Sequence, residues 1–307
     1  MKTKKIPALL LVLTLLLTFS ACTKQDVPET PADTSVTVTD MKDREVKLDA
    51  PATKVVVLDA ADCEILCALG AQDTLVGRGE YCDYPENVKD VTSVQSGSET
   101  NIEQIVALQP QLVITSTMDQ TTEQIEALEN AGIKVAVTEA PKIADVYKAI
   151  RLVGALVGKD KEAGDLVLSM SKAFAELQGQ VDSDGEKTVY FEVSPLQYGL
   201  WTAGTGTFMD ELANLLGVKN AFADVKGWGQ ISEEQVLERD PDYIVTITMY
   251  YGEGPTPVEE IMSRKGWENL KAIKNQTVFN ADSNEISRPG PRLADAAQTL
   301  YTFFYGK

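Results

Sequence analysis

The chain is 307 residues long and 44% hydrophobic, with 46 acidic against 28 basic side chains, a formal net charge of −18 and no histidine. That excess of acid excludes nucleic acid as a partner, because a phosphate backbone needs clusters of Lys and Arg. Without histidine, Ser-His-Asp, Cys-His and His-Glu-x-x-His chemistry is impossible, and the imidazole-dependent zinc and manganese sites go with it.

At the N-terminus, Lys2, Lys4 and Lys5 precede an apolar run from Ile6 to Phe19, followed by the small residues Ser20 and Ala21 and then Cys22. A positive start, a short apolar core and small residues read as a secretory signal over residues 1–21, and the run is shorter than the ~20 residues that span a bilayer. Phe19-Ser20-Ala21-Cys22 resembles the lipobox of bacterial lipoproteins, which makes Cys22 the lipid-modified first residue of the mature chain. Removing residues 1–21 takes away three lysines and no acid, so the net charge moves from −18 to −21. Residues 22–39 are polar, hold Pro28 and Pro31 and show no apolar period, which is the composition of a flexible leash. No later apolar stretch is long enough to span a membrane.

Beyond the leash, β-branched runs predict strands over 54–58, 74–76, 112–115, 134–138, 188–193, 243–248 and 277–280. Helical patterns lie between most of them, at 61–69, 102–108, 121–131 and 209–216. This alternation implies an α/β fold with parallel sheets covered on both faces. The length suffices for two lobes with separate cores, an N-terminal lobe over 40–158 and a C-terminal lobe over 182–307. Between them, apolar residues at 143, 146, 147, 150, 153 and 157 mark one amphipathic helix that Gly158 can end. Asp160 is positioned to cap a second helix running to about Gln180. Taken as the inter-lobe element 159–181, that helix spans about 30 Å, and a single rigid connection restricts the lobes to small movements.

The sequence also repeats itself. Glu103-Gln104-Ile105-Val106, followed by Pro110-Gln111-Leu112-Val113-Ile114-Thr115, recurs as Glu234-Gln235-Val236-Leu237 and Pro241-Asp242-Tyr243-Ile244-Val245-Thr246, at a constant offset of 131. Each copy reads as a short helix, a proline stop and a buried strand. Helices ending at Leu69-Gly70 and Leu216-Gly217 form a second related pair.

Other features carry no chemistry. Cys63, Cys67 and Cys82 lack the spacing of a disulfide framework and read as small buried apolar residues, so no metal site is expected. Gly204-Thr205-Gly206-Thr207 lacks the lysine of a phosphate loop and reads as a turn with Thr207 as helix cap. Nothing singles out a catalytic carboxylate pair, so no enzyme is expected and no cofactor.

Over essentially the whole mature chain the residues resemble the helix-linked class of ABC-importer substrate-binding proteins, which carry iron–siderophore complexes, haem or cobalamin. The resemblance rests on Val55–Leu58 before a helix, Tyr81-Cys82-Asp83-Tyr84-Pro85, and Asn101-Ile102-Glu103 running into Ile105-Val106-Ala107-Leu108-Gln109-Pro110. It rests further on Trp228 through Leu237 and on Arg288-Pro289-Gly290-Pro291-Arg292. It implies two Rossmann-like lobes joined by a single long α-helix, with Glu103 and Glu234 each docking on one subunit of a permease dimer driven by a cytoplasmic ATPase. The ligand cleft is then expected between the lobes at the carboxyl ends of the strands. Its candidate liners are Tyr81, Tyr198, Trp201, Trp228, Tyr250 and Tyr251, with Arg78, Arg288 and Arg292 pairing with anionic groups. Tyr81 and Trp228 are similar to the cobalamin-binding branch, so a corrinoid is the favoured ligand and a ferric siderophore or haem the alternative. A surface adhesive lipoprotein or an enzyme is a distant second class. The expected protein is a monomer on the outer face of the cell membrane, held there only by its anchor, and a lipobox with a leash suits a Gram-positive cell.

Overall fold

The computed structural model describes residues 34–117, 121–182 and 185–306. The expected signal segment, Cys22 and the leash as far as residue 33 lie outside the described residues. The chain is already in regular structure before residue 39. Val36–Thr39 (β1) pairs antiparallel with Glu45–Leu48 (β2), and Val46 and Leu48 are buried. The alternation Val-Thr-Val-Thr is a period-two strand signal, and Asp40 closes the hairpin by accepting hydrogen bonds from Lys42 N, Arg44 N and the Arg44 guanidinium.

The first lobe holds Val55–Val57 (β3), Ala60–Ala68 (α1), Leu75–Gly79 (β4), Ser93–Val94 (β5), Ile102–Ala107 (α2), Leu112–Ser116 (β6), Thr122–Asn130 (α3) and Lys134–Thr138 (β7). Its five strands are all parallel, in the order β5-β4-β3-β6-β7. The strand order therefore reverses between β3 and β6, which opens a crevice beyond their carboxyl ends.

Ile143–Leu156 (α4) and Asp160–Gln180 (α5) follow. Gly158, at φ +69°, makes the turn between them. The cap expected at Asp160 falls on Lys159, whose side chain makes no capping bond; Asp160 is the first helical residue, where its carboxylate still suits the helix dipole.

The second lobe contains Thr188–Ser194 (β8), Trp201–Ala203 (β9), Phe208–Leu215 (α6), Lys219–Asn220 (β10), Trp228–Gln230 (β11), Glu233–Arg239 (α7), Tyr243–Thr246 (β12), Pro257–Met262 (α8), Lys271–Lys274 (α9), Val278–Asn280 (β13), Ser283–Ser287 (α10) and Leu293–Tyr305 (α11). Here the expectation of a wholly parallel sheet needs correction. In the order β11-β9-β8-β12-β13, β8, β12 and β13 run parallel, but β9 is antiparallel to β8 and β11 antiparallel to β9. Those two strands are three residues each and carry no apolar alternation, so periodicity does not reveal them.

Nor are the cores separate. Val55 and Val57 of β3, Val189 and Phe191 of β8, and the inward faces of α4, α5 and α11 belong to one continuous apolar cluster. The alternate residues face outward into two satellite cores, Val56 with Val113 in the first lobe and Tyr190 with Ile244 in the second. Period-two geometry makes this division, so the lobes share their inner core through the connecting helices.

The internal repeat is structural. Gln109 and Asp240, related by the offset of 131, both adopt left-handed backbone, at φ 50° and 43°, each just before a proline. One residue later than that proline, Gln111 Oε1 accepts from Thr53 N and Lys54 N at the entry to β3, while the Asp242 carboxylate accepts from Thr188 N at the entry to β8. The same position pins the neighbouring strand in both lobes.

Candidate functional site

A cavity of about 790 Å³ opens beyond the carboxyl ends of β3, β6 and β7 on one side and β8 and β12 on the other. The first lobe contributes carboxylates and hydroxyls. Asp59 follows β3 and caps α1: its Oδ1 accepts from Ala61 N at 2.8 Å and Asp62 N at 3.3 Å, and its Oδ2 from Ser116 Oγ at 2.9 Å. Asp62, 2% exposed, accepts from Thr138 Oγ1 at 2.8 Å. Glu139, just past β7, lies 3.4 Å from Thr117 Oγ1 and 3.4 Å from Lys42 Nζ.

The second lobe contributes hydrocarbon. Trp201 opens β9 and Trp228 opens β11, and the antiparallel register brings these short strands side by side. Phe208, the first residue of α6, meets the Trp228 ring edge-on at 5.7 Å between centroids. Val193 and Ile247 complete this wall. Both tryptophans remain more than one-third exposed, 39% and 38%. An aromatic face left open in a cavity is binding surface rather than core.

Arg288, from the segment before α11, is the cation that lines the cavity among the described residues. It is already engaged: Nη1 donates to Glu64 Oε1 at 2.9 Å and to Asp83 Oδ1 at 2.7 Å, and Nη2 to the Tyr81 carbonyl at 3.2 Å. Arg292 binds the same Glu64 through Nε at 2.8 Å and Nη2 at 2.6 Å, and its guanidinium stacks on Tyr84 at 4.2 Å. Its bonds to the Glu64 carboxylate raise the Arg292 pKa above its ordinary value.

Of the candidate residues, Trp201, Trp228 and Arg288 thus line the cavity. Arg292 stands behind Arg288 and binds protein. Arg78 does not reach the cavity, because its guanidinium donates to the carbonyls of Gly79, Val88 and Lys89 and fastens the turn before β5. Tyr81, Tyr198, Tyr250 and Tyr251 lie on the loops after β4, β8 and β12, at the same strand ends as the cavity, with their rings 73%, 76%, 44% and 85% exposed. Glu103 and Glu234 are both exposed at the second position of their helices, α2 and α7. The Ser232 hydroxyl and the backbone N–H of Glu234 itself hold that carboxylate below its ordinary pKa.

Asp59, Asp62, Ser116, Thr117, Glu139 and Phe208 were not singled out by the sequence. The available signal was positional, since each of the first five lies at or within a few residues of the carboxyl end of a strand. Cys63 and Cys82 are buried and Cys67 half-buried, all free thiols. Bonding to Cys63 and burial push the Cys67 pKa up, which suits inert packing residues. Thr207 caps α6 through Asp210 N, as expected of the Gly204–Thr207 turn.

Residues 55–285 match the family model described as periplasmic binding protein. A *Bacillus subtilis* protein described as an uncharacterized ABC transporter substrate-binding lipoprotein, YvrC, is 35% identical over 276 residues, covering 88% of this chain and 85% of that protein. The vitamin B12-binding protein of *Salmonella typhi* is 30% identical over 253 residues, covering 81% and 89%. Among solved structures, a possible iron-binding, periplasmic solute-binding protein of *Staphylococcus epidermidis* superposes with a TM-score of 0.73 at 28% identity, covering 83% of this chain and 99% of that one.

Proposed function

The chain belongs to the periplasmic binding protein family, and from that premise we propose that its inter-lobe cavity captures a corrinoid and delivers it to an ABC permease. The chain is a substrate-binding protein of the ABC-importer class that serves cobalamin, haem or siderophores, and its relatives are binding proteins rather than enzymes. The observation that carries the corrinoid reading is the composition of the cavity wall. A haem carrier holds its iron through His, Tyr, Met or Cys; none of these is among the described lining residues, and Tyr81, Tyr198 and Tyr250 stand only on the loops at the mouth of the cavity. Anionic ferric chelates need free cations, whereas the lining Arg288 is shared between Glu64 and Asp83. A broad ring with neutral polar groups fits both the tryptophan wall and the carboxylate floor. The 30% identity with a vitamin B12-binding protein supports the same ligand.

The cycle is binding without covalent chemistry. The cavity takes up the ligand, the lobes close slightly about α5, and Glu103 and Glu234 dock on the two permease subunits while ATP hydrolysis elsewhere drives release. The exposed rings of Tyr81, Tyr198 and Tyr250 are poised to cover the part of the ligand that projects from the cavity. Lipidated Cys22 holds the protein at the outer face of the membrane. The second reading is a neutral or cationic iron chelate, favoured by the same carboxylate floor and by the 28% identical *S. epidermidis* protein. Tryptophan-fluorescence titration with cyanocobalamin, haem and ferric hydroxamates tests the choice. Saturable quenching by cobalamin alone is expected, and saturation by a ferric hydroxamate with silence towards cobalamin would overturn the corrinoid reading.

A further inference from the structure

The cavity is chemically two-sided, and its polar side carries charge mostly of one sign. Asp59, Asp62 and Glu139 face the space that Trp201, Phe208 and Trp228 close from the other lobe. The cation that lines the cavity is already occupied: Arg288 is bonded to Glu64 and Asp83. Lys42, outside the lining, makes only a long, exposed contact of 3.4 Å with Glu139. The N-terminus of α1 also points into the cavity, but the Asp59 carboxylate fills it by accepting from two of its backbone N–H groups. An anionic group placed on this floor therefore meets the carboxylates of Asp59 and Glu139 and, among the described lining residues, no uncommitted donor of full charge.

A neutral amide meets the opposite situation. Asp59 Oδ2 accepts a bond from Ser116 Oγ, and a carboxylate oxygen has room for two. Glu139 is exposed, and its two contacts are both long. Each can take an amide N–H in a charge-assisted bond, which is stronger than one between neutral groups. Asp62 is buried beneath them and accepts from Thr138, which helps to fix the floor.

On these grounds we infer that Asp59, Asp62 and Glu139 form a filter on the periphery of the ligand, accepting corrin rings fringed with amides and rejecting those that carry carboxylates in the same places. The inference rests on the corrinoid reading and deepens it. The protein then takes fully amidated corrinoids, with or without the nucleotide tail, and leaves the acid precursors of amidation behind. The aromatic wall recognises the ring, and the carboxylates decide which ring side chains are tolerated.

The test uses the full chain in detergent, titrated at pH 7 by tryptophan fluorescence. The probes are cyanocobalamin, dicyanocobinamide and the set of cyanocobalamin monoacids in which one ring amide has been hydrolysed. Cyanocobalamin and dicyanocobinamide are expected to bind, and at least one monoacid to bind about tenfold more weakly, as a like charge at ~4 Å from a carboxylate dictates. Substituting Asp59→Asn together with Glu139→Gln should narrow that gap to about threefold or less, since the like-charge contact is removed. Asn remains a good helix cap, so α1 is preserved in the variant. Equal affinity of every monoacid and its parent in the unaltered protein overturns the inference and leaves the corrinoid reading intact. A gap that persists unchanged in the double variant overturns the assignment to these carboxylates. Failure of every corrinoid to bind overturns the corrinoid reading, and the filter with it.

Discussion

Arg292 Nη2 lies 2.6 Å from Glu64 Oε1, and this bond joins the residue capping the last helix to the first helix of the opposite lobe, 228 residues away in sequence. Glu64 also binds Arg288, which in turn holds Asp83. All the side chains on Glu64 are largely buried: 3% exposed for Glu64, 12% for Arg288 and 16% for Arg292. The cluster stitches the C-terminal segment onto the first lobe beside the cavity, a second connection in addition to α5.

Removing the shared carboxylate should therefore be costly. Glu64→Ala leaves two guanidinium groups facing each other with little solvent. A loss of about 3 kcal/mol is expected, the low end of what breaking a buried pair costs. Equilibrium unfolding in urea measures it; a loss within a few tenths of a kcal/mol would mean that water replaces the carboxylate and that the cluster does not hold the lobes.

Trp228→Ala removes one of the two open indole faces of the cavity together with its edge contact to Phe208. Ligand affinity is expected to fall by about 1–2 kcal/mol, in the range of an aromatic hot spot. Isothermal titration with the ligand that quenches the unaltered protein gives the value. An unchanged dissociation constant would remove the tryptophan wall from the binding surface.

Charge reversal at Glu103 and Glu234 should separate binding from delivery. Both side chains are exposed, and no residue of α2 or α7 lines the cavity, so Glu103→Arg with Glu234→Arg is expected to leave ligand affinity unchanged. Uptake of labelled ligand by cells carrying the double variant should be lost, because complementary charge governs orientation and association rate. Normal uptake would leave the two glutamates as solvated helix-start acids.

Asp242 gives a pH signature. Burial acts to raise its pKa, but the Thr188 N–H and the Lys187 ammonium outweigh that and hold it below the ordinary 3.8. A carboxylate depressed in the folded state contributes stability that is fully present above the unfolded value and is lost as pH falls through the folded one. The stability difference between the unaltered protein and Asp242→Asn should thus be constant above about pH 5 and shrink progressively from pH 4 downward. Urea titrations at pH 3, 4, 5 and 7 follow it, and a difference that is flat down to pH 3 would contradict the assigned bond.

Much of this was written in the order of residues. Lys134–Thr138 was legible as a strand to the residue, and α2, α5 and β6 came within a residue or two, because Pro110 separates α2 from β6 and the apolar stripe of α5 is long. The repeat pointed to two related lobes, and the left-handed residues Gln109 and Asp240 give that pairing a backbone basis. The hairpin β1–β2 was hidden because four residues of Val and Thr sit inside a polar, proline-bearing stretch. For the site, Trp228 and Trp201 could be chosen by residue type, since an indole outside any apolar period needs a purpose. Asp59 and Glu139 could not, because among 46 acidic residues only the strand ends to which they are attached distinguish them. Arg78 and Arg292 lie outside the lining for a reason the sequence hides: a guanidinium has five donors, and sequence does not reveal whether backbone carbonyls or a buried glutamate engage them.

The division of the cavity wall has a consequence for inheritance and for engineering. The carboxylates come from residues 59–62 and 139, whereas the rings come from Trp201, Phe208 and Trp228. If the ligand is a corrinoid, the two halves of the gene contribute different kinds of contact to one molecule. Chimeras joined within α5 are then expected to exchange one kind at a time, a foreign second half altering which ring is held and a foreign first half which substituents are allowed. The joint must preserve the contacts of Glu64 in the first half with Arg288 and Arg292 in the second, so selectivity can drift in either half only while that seam is kept.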